Sequence, residues 1–528
     1  MSSPKFTPFI GVEPATPATA NRVGRAFALR VETAGADAFS PTPVQVDNGD
    51  EARYSDKCGT YTKGVLQDAV GRVDLKAYQS FKKALDTGKP SDFDKVILGG
   101  PRTLNGPQGG LAFDLECLDG SQFAVPPAAA LASEEYATEL VELYWASLLR
   151  DVAFTDYPVN PIAAQAAEEL SGLPSYTGPR DSANQVTPDL LFRGPFAGET
   201  TGPYLSQFIL QNTSLGALPI VQQYTTFQAG VDFMLDPMTF LQVQNGIATG
   251  FALQNGAPGF LHDGRGLGAF THADVLYQAY FVAYLVLNTI NGGNQVPYNP
   301  GNPYNGNKTQ NGFATMGQPD IAATLAAVAR QALKAVWYQK WYVHLRHRPE
   351  SGGAMVYLTN TGQGNSVEGQ LSNSVLNSQA VQTAFSKNNS YFLSQAFPEG
   401  SPTHPAYPTG HGVVAGACIT ALKFFFDGAF VITNPFEPSS DGTKLNNASS
   451  GAPGALTVNG ELHKLAHNIS FGHGIHPGIH WRSDTDTSIH LGEAVALSVL
   501  QDRAKTYNEK FTVQLTKLDG STATISNE

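Results

Sequence analysis

Residues 401–426 read SPTHPAYPTGHGVVAGACITALKFFF, a polar segment that runs directly into an apolar one. The apolar half has hydrophobic residues on every side, which predicts a helix buried between other helices. Pro408 stiffens the chain before this helix, Thr409 offers a hydroxyl, and Gly410 lets the backbone approach a ligand closely. Because the first amides of a helix have no intrahelical acceptor, this helix start predicts an anion-binding site. A Thr409 that only caps the helix is compatible with the same residues.

The rest of the chain is dominated by helical patterns. Residues 134–152 place apolar side chains on one stripe behind an N-cap at Ser133, and residues 319–344 form the longest periodic segment. Further helices are predicted at 161–171, 204–211, 272–290, 377–396, 411–427 and 486–508. Strand signals are sparse, and the clearest is a hairpin pattern in the C-terminal tail.

These patterns predict an all-α protein with one large domain of helix bundles, long loops and a small C-terminal β-hairpin. We place a partly irregular N-terminal arm at residues 1–60, the helical domain at 61–508 and the hairpin tail at 509–528. Charged residues make up 15% of the chain and hydrophobic residues 42%. A disordered chain is excluded, because disorder requires few apolar groups and much charge.

The chain is acidic, with a net charge of −12 from 33 Lys and Arg against 45 Asp and Glu. Neither nucleic acid nor a membrane is therefore an expected partner, and any anion site must be a local basic pocket. The longest apolar run, 275–287, is too short to span a bilayer. The amino-terminal residues contain no signal peptide, so we expect a soluble, intracellular protein. The three scattered cysteines favour buried thiols over a disulfide framework.

A basic cluster follows the long predicted helix. Lys340 and Arg348 lie eight residues apart in KWYVHLRHRPE, and Trp337 and Trp341 alternate with the charges. A purely solvated basic face would not bury these aromatic rings. Pro349 disfavours the helical conformation at Arg348. A lysine point charge beside a guanidinium fork is suited to binding an oxyanion.

A histidine cluster lies near the C-terminus, in HGIHPGIHWRSDTD at 473–486. Its imidazoles His473, His476 and His480, with the nearby aspartates, are possible ligands of a divalent metal. Pro477 and two glycines prevent a regular helix through the triplet, so helical ligand geometry cannot be assumed. On spacing alone, a divalent metal site stays open as an alternative.

Taken together and in this order, the three segments resemble the vanadium-dependent haloperoxidases, whose core is shared with the type 2 phosphatidic acid phosphatases. The lysine–arginine spacing and the pair His404 and His411 look like the algal and cyanobacterial bromoperoxidase branch. The stretches at 143–157, 193–208 and 265–281 look like that branch too, so the resemblance covers roughly residues 60–505.

The resemblance implies a vanadate cofactor, whose site phosphate could occupy instead. His480 would bond the metal through a ring nitrogen. The vanadate oxygens would be held by Lys340, Arg348, the Thr409 hydroxyl and the Gly410 amide.

It also implies catalytic roles. His411 would accept a proton from incoming peroxide, and Lys340 would polarise that peroxide. His404 matches the second histidine of the bromide-preferring branch, and Trp337 stands where the family places a pocket tryptophan.

Two departures from the family pattern stand out. Thr409 replaces a serine, which keeps the hydroxyl. The arginine that usually lies six residues before the metal-bound histidine is Gly474 here, with His473 one residue earlier. One cation of the oxyanion site is therefore either missing or replaced, by the imidazole of His473 or by another arginine such as Arg346 or Arg482. An imidazole is charged only near or below its usual pKa of about 6.5.

The expected function is therefore oxidation of halide by hydrogen peroxide to a hypohalous-acid equivalent that halogenates small organic substrates, with bromide favoured over chloride. One alternative is a phosphate-ester hydrolase, an acid phosphatase using the same oxyanion pocket. Another is a non-catalytic oxyanion-binding or assembly protein. The resemblance and the arm at 1–60 also imply a homo-oligomer, a dimer or larger.

Overall fold

The computed structural model describes residues 16–68, 71–369, 371–448 and 456–528. Within these ranges it contains the following α-helices: α1 Arg22–Phe39, α2 Asp50–Arg53, α3 Leu75–Thr87, α4 Pro90–Phe93, α5 Glu134–Leu149, α6 Pro161–Ser171, α7 Pro237–Gln244, α8 Gly264–His272, α9 Gln278–Leu287, α10 Gln318–Tyr338, α11 Pro349–Asn360, α12 Asn373–Leu376, α13 Gln379–Asn388, α14 Gly410–Phe425, α15 Val458–His473 and α16 Arg482–Thr506.

The strands of the described residues form short antiparallel pairs, each joined to its neighbour alone. They are β1 Thr213–Leu215 with β2 Leu218–Ile220, β3 Tyr224–Phe227 with β4 Asn255–Gly259, β5 Phe436–Pro438 with β6 Leu445–Asn447, and β7 Thr512–Thr516 with β8 Thr522–Ser526. The last pair is the predicted C-terminal hairpin, and its Val513, Leu515 and Ile525 are buried against the helices. The all-α prediction is confirmed.

Helix α14 is the centre of the core. Every one of its residues is buried, as its uniformly apolar sequence predicts. It packs against α10, α15 and α16. Gly416 of α14 and Gly492 of α16 face the opposite helix so closely that a Cβ on either would collide with backbone atoms. Glycine at these two positions therefore sets the spacing of the two helices that carry the candidate site.

The long predicted helix at 319–344 is interrupted. The α-helix ends at Tyr338, and a π-helical turn, Gln339–His344, continues the chain. Leu345 then adopts a left-handed conformation with φ of 45°, and Arg348 is extended, as expected before Pro349. This change of winding turns Lys340 and Arg348 toward the start of α14.

Most predicted helices are present, but the one at 204–211 is wrong. The structure has only a short 3₁₀ turn at 207–209 in this region. The amides of Ser206 and Gln207 donate to the side chains of Asn468 and Glu461, at 2.8 and 2.7 Å, rather than to helical carbonyls. Tertiary hydrogen bonds have replaced the helical ones.

The predicted N-terminal arm falls partly outside the described residues, at 1–15. From residue 16 onward it contains α1 and α2, and α1 has no buried residue. The division at residues 60 and 508 stays a prediction. Among the described helices, none combines the length and apolar character needed to cross a bilayer.

Candidate active site

Three chain segments distant in sequence meet at the start of α14. Lys340 comes from the π-helical turn, Arg348 from the residue before α11, and His480 from the loop before α16. All three side chains are at most 1% exposed. The predicted basic, threonine–glycine and histidine segments therefore form one buried site.

Arg348 is held in place by carbonyls and imidazoles. Its Nε donates to the His404 carbonyl at 2.9 Å, and its Nη1 donates to the Ile479 carbonyl at 2.9 Å. The same Nη1 lies 2.8 Å from Nε2 of His480. Burial lowers the pKa of Arg348 to about 10, which leaves the guanidinium charged at neutral pH.

Lys340 is held in a similar way. Its Nζ donates to the carbonyls of Pro405 and Ala406, both at 2.8 Å. Burial, and then the charge of Arg348, lower its pKa well below the usual value. Within the described residues neither Lys340 nor Arg348 forms a salt bridge with a carboxylate. The lowered pKa of Lys340 reflects the cost of two buried cationic side chains without an anion, and a bound anion would remove that cost, so the site is suited to binding one.

Thr409 precedes α14 but does not cap it. Its side chain makes no capping bond, and its Oγ1 is buried without a hydrogen-bond partner among the described residues. The first amides of α14, beginning with Gly410, have no intrahelical acceptor. Trp337 lies 3.3 Å from the position that a Cβ on Gly410 would take. The unpartnered hydroxyl and the helix amides together can bind an oxyanion at this point.

His480 is oriented by a carboxylate that sequence reasoning treated only as a possible metal ligand. Its Nδ1 lies 2.8 Å from Oδ2 of Asp484, and Oδ1 of Asp484 accepts from Arg346 at 2.8 Å. Arg346 also donates to Glu139 at 2.7 Å. When Nδ1–H donates a hydrogen bond to Asp484, the ring keeps a lone pair on Nε2. A metal ligand requires this neutral form of the imidazole. The four-residue spacing of His480 and Asp484 was the available signal.

His411 has a similar partner that the sequence did not reveal. Its Nε2 lies 3.0 Å from Oδ1 of Asp274, which stands in the loop between α8 and α9. The His411 ring stacks on His473, with centroids 3.7 Å apart. No local sequence signal connects Asp274 to His411, because 137 residues separate them.

A cavity of about 510 Å³ opens beside these imidazoles. His404, His411 and His473 line it together with Trp337 and Gly410, so each of these predicted site residues borders one space. His404 packs against Trp337, with ring centroids 4.9 Å apart.

The structure narrows the choice of residues that could replace the family's arginine at Gly474. Gly474 has no room for a side chain, because a Cβ there would lie 2.9 Å from the His480 Cβ. Arg482 is engaged with Glu142 through both Nε and Nη2. Arg346 is engaged with Asp484 and Glu139. Of the candidates, His473 is the one that lines the cavity.

His473 does not replace the arginine as a cation. Burial, followed by neighbouring charged groups, lowers its pKa well below the usual value, so the expected positive charge near pH 6 is not supported. Its Nδ1 is buried without a hydrogen-bond partner within the described part of the chain.

The alternative divalent metal site is not assembled. His476 packs against Phe154 and Phe192, with ring centroids 5.6 Å from each. Across the described ranges, no group of three or more His, Cys, Asp or Glu side chains is placed to hold a metal ion.

Comparison with known proteins is consistent with this geometry. The chain is 33% identical over 548 residues to the vanadium-dependent bromoperoxidase of Corallina officinalis, covering 88% of this chain and 90% of that protein. The chain belongs to the vanadium-dependent haloperoxidases. The vanadium-dependent bromoperoxidase of Ascophyllum nodosum is another relative, at 31% identity over 94% of this chain and 91% of that protein.

Structural similarity to this haloperoxidase family extends over nearly the whole molecule. A solved structure described as the homohexameric second vanadate-dependent bromoperoxidase of A. nodosum superposes with a TM-score of 0.91. It covers 99% of this chain and 94% of that one, at 26% identity. A family model described as the VCPO second helical-bundle domain matches residues 320–509, the region that contains all three site segments.

Proposed function

We propose that this haloperoxidase is vanadate-dependent and oxidises halide with hydrogen peroxide to a hypohalous-acid equivalent that halogenates organic molecules. Bromide is preferred over chloride, in keeping with relatives that are named bromoperoxidases. The observation that carries the proposal is the pair of buried cations, Lys340 and Arg348, which face a helix start without a carboxylate partner among the described residues. The phosphate-ester hydrolase and the non-catalytic protein are not favoured by these relatives.

The residues present fit vanadate. His480 would be the metal ligand through Nε2, and the oxygens would be held by Lys340, Arg348, the Thr409 hydroxyl and the Gly410 amide. The unpartnered Oγ1 of Thr409 supports this assignment. Vanadate, when bound, supplies a Lewis-acidic centre that activates peroxide without changing its own oxidation state.

The remaining chemistry belongs to the side chains around this centre. Asp274 fixes the His411 ring through Nε2, which leaves Nδ1 to take a proton from incoming peroxide. A bound oxyanion would favour the charged form of Lys340, and the peroxide oxygen would be polarised toward that charge. The carbonyl of His404 accepts from Arg348, and its ring Nδ1 lies 3.0 Å from Nη2 of the same arginine, so we assign His404 to holding the guanidinium in position. His473 offers the bound oxyanion a neutral hydrogen-bond donor in place of the family's arginine.

Bromination of a phenol-type dye tests the proposal. Activity is expected to require peroxide, bromide and vanadate together, and excess phosphate is expected to suppress it because both oxyanions bind one pocket. Release of phosphate from an aryl phosphate without peroxide would support the hydrolase instead. Binding of phosphate with neither activity would indicate a non-catalytic protein.

We also infer that the chain assembles into a homo-oligomer of two or more copies. The A. nodosum relative of the same fold is described as homohexameric. Peroxide, halide and small organic molecules are the partners that the proposed reaction requires.

A further inference from the structure

The cavity beside the site is larger than peroxide and halide need. Its volume is about 510 Å³, within the range of about 300–1,000 Å³ that is usual for pockets holding drug-sized molecules. Peroxide and a halide ion occupy only a small part of such a space. The remaining space lies beside His404 and His411, where the oxidised halogen would be formed.

The outer wall of this cavity is apolar and well supported. It consists of Leu276 after α8, Leu333 and Trp337 on α10, and Pro402. The Trp337 indole is fixed because its Nε1 donates to the Asn105 carbonyl at 3.1 Å. A fixed aromatic ring and two leucines in one wall form a surface suited to a flat apolar ligand.

The charged groups at the wall are engaged with other parts of the chain. Lys334 donates to Asp114 at 2.7 Å, so only its aliphatic stem is left for the cavity. His272 lies 2.7 Å from Glu399. Asp274 is bonded to His411. The outer wall therefore offers no free charge to an ionic ligand and favours an uncharged one.

We propose that this wall, the acceptor subsite, binds a neutral, electron-rich aromatic molecule such as a phenol, so that halogen is transferred inside the cavity. The inference rests on the proposed function, which supplies hypobromous acid. A ring carbon bonds to bromine, its C–H bond breaks, and the proton joins the departing hydroxide as water. The ring carbon is oxidised and the bromine is reduced, so no further reactant is needed.

A competition experiment tests the acceptor subsite. The wild-type protein, loaded with vanadate, is given peroxide, bromide and equal amounts of 4-methylphenol and a tyrosine-containing protein too large for the cavity. The product ratio is compared with that from reagent hypobromite. We expect the small phenol to be favoured about tenfold or more over the reagent ratio, since apolar pockets typically discriminate by about 10- to 200-fold.

Variants of the wall connect this preference to the cavity. Leu333→Phe fills the space and is expected to return the product ratio toward that of the reagent. Leu218→Phe, at a position 62% exposed on β2, is the matched control and is expected to keep the wild-type ratio. Should Leu333→Phe fail to fold, Leu276→Phe fills the same wall from another segment.

Oxygen release distinguishes failure of the acceptor subsite from failure of the proposed haloperoxidase function. Hypobromous acid oxidises a second peroxide to oxygen when no organic acceptor is present, and this bromide-dependent release does not need the acceptor subsite. If the wild type releases oxygen but gives the same product ratio as reagent hypobromite, the acceptor subsite is overturned and the proposed function is not. Absence of oxygen release would overturn the proposed function and this inference with it. Leu333→Phe that keeps both oxygen release and the wild-type ratio would also overturn the subsite.

Discussion

Single residues at the site have separable tasks, because His480 and His411 are oriented by different carboxylates. Asp484 holds His480, and Asp274 holds His411. We expect His480→Ala to lose vanadate retention. His411→Ala is expected to retain vanadate but lose about a hundred- to ten-thousandfold in turnover, the usual effect of removing an acid–base group.

Vanadium content after gel filtration, together with the bromination rate, distinguishes these two outcomes. His490→Ala, on the exposed side of α16, is a histidine control and is expected to behave like the wild type. Equal vanadium retention by the wild type and His480→Ala would contradict the ligand assignment.

His473 has a weaker expected effect than an arginine at the same place. A neutral imidazole contributes one hydrogen bond, worth about 0.5–1.5 kcal/mol, against about 1.5–3 kcal/mol for a charged donor. We therefore expect His473→Ala to weaken vanadate binding by roughly two- to twelvefold. Equilibrium dialysis measures this change, again with His490→Ala as the control. Unchanged affinity in His473→Ala would exclude His473 as the replacement for the arginine.

A second buried histidine makes stability depend on pH. His467 on α15 lies between Glu199 and Asp486, at 2.6 and 2.9 Å. Burial alone would lower the pKa of His467, but the two carboxylates outweigh it and raise the pKa to about 9. A raised folded-state pKa stabilises the fold fully below about pH 6.5, and that stabilisation is lost as pH rises through about 9.

We accordingly expect the thermal midpoint to fall between pH 7 and about pH 9.5. His467→Gln is expected to be less stable at pH 7 and to show a flatter dependence on pH over this interval, which scanning calorimetry measures. The same slope in the wild type and His467→Gln would assign the pH dependence to other groups.

Elements of the fold are joined by buried ion pairs, of which Lys63 with Glu350 is the clearest. Lys63 Nζ lies 2.6 Å from Glu350 on α11 and donates to the Ser401 carbonyl at 2.6 Å. Burial lowers the pKa of Lys63 to about 8. Lys63→Met leaves Glu350 as an unpaired buried charge, and we expect a loss of about 3–5 kcal/mol in the free energy of unfolding.

Urea unfolding measures this loss. The exposed pair of Lys82 and Asp86 on α3 is the matched control, and Lys82→Met is expected to cost less than about 1 kcal/mol. Equal effects at the two lysines would contradict a dominant role for burial.

The elements also show where sequence reasoning succeeds. The start of α14 and the extended Arg348 were predictable, because apolar composition, helix starts and proline act locally. The π-helical turn at 339–344 was not, because its winding depends on packing around Lys340. The partners Asp274 and Asp484 were missed as orienting groups, since their roles arise from contacts that only the folded chain creates.

The molecule as a whole carries an apolar stripe that the described residues leave exposed. Val23, Phe27 and Val31 repeat every four residues on α1 and are 86%, 68% and 56% exposed. Such a stripe normally packs against another surface. We expect a second copy to cover it, consistent with the relative described as homohexameric.

Light scattering at micromolar concentration tests this expectation. The wild type is expected to exceed the 56.2 kDa of one chain, and Phe27→Asp is expected to lower the measured mass. Val159→Asp, at an isolated position 84% exposed, is the control and should leave the mass unchanged. A wild-type mass equal to one chain would rule out the assembly.

The glycine contacts between α14 and α16 have a consequence for catalysis. Gly416 and Gly492 bring the backbones of the two helices into close contact, and this contact sets the separation between the amides at the start of α14 and the imidazole before α16. A polar environment that is already oriented does not have to rearrange when charge develops on the reactants. The reorganisation energy that water would require at every turnover is thereby avoided. The free energy needed to align these dipoles is supplied by folding and is not required again at each turnover.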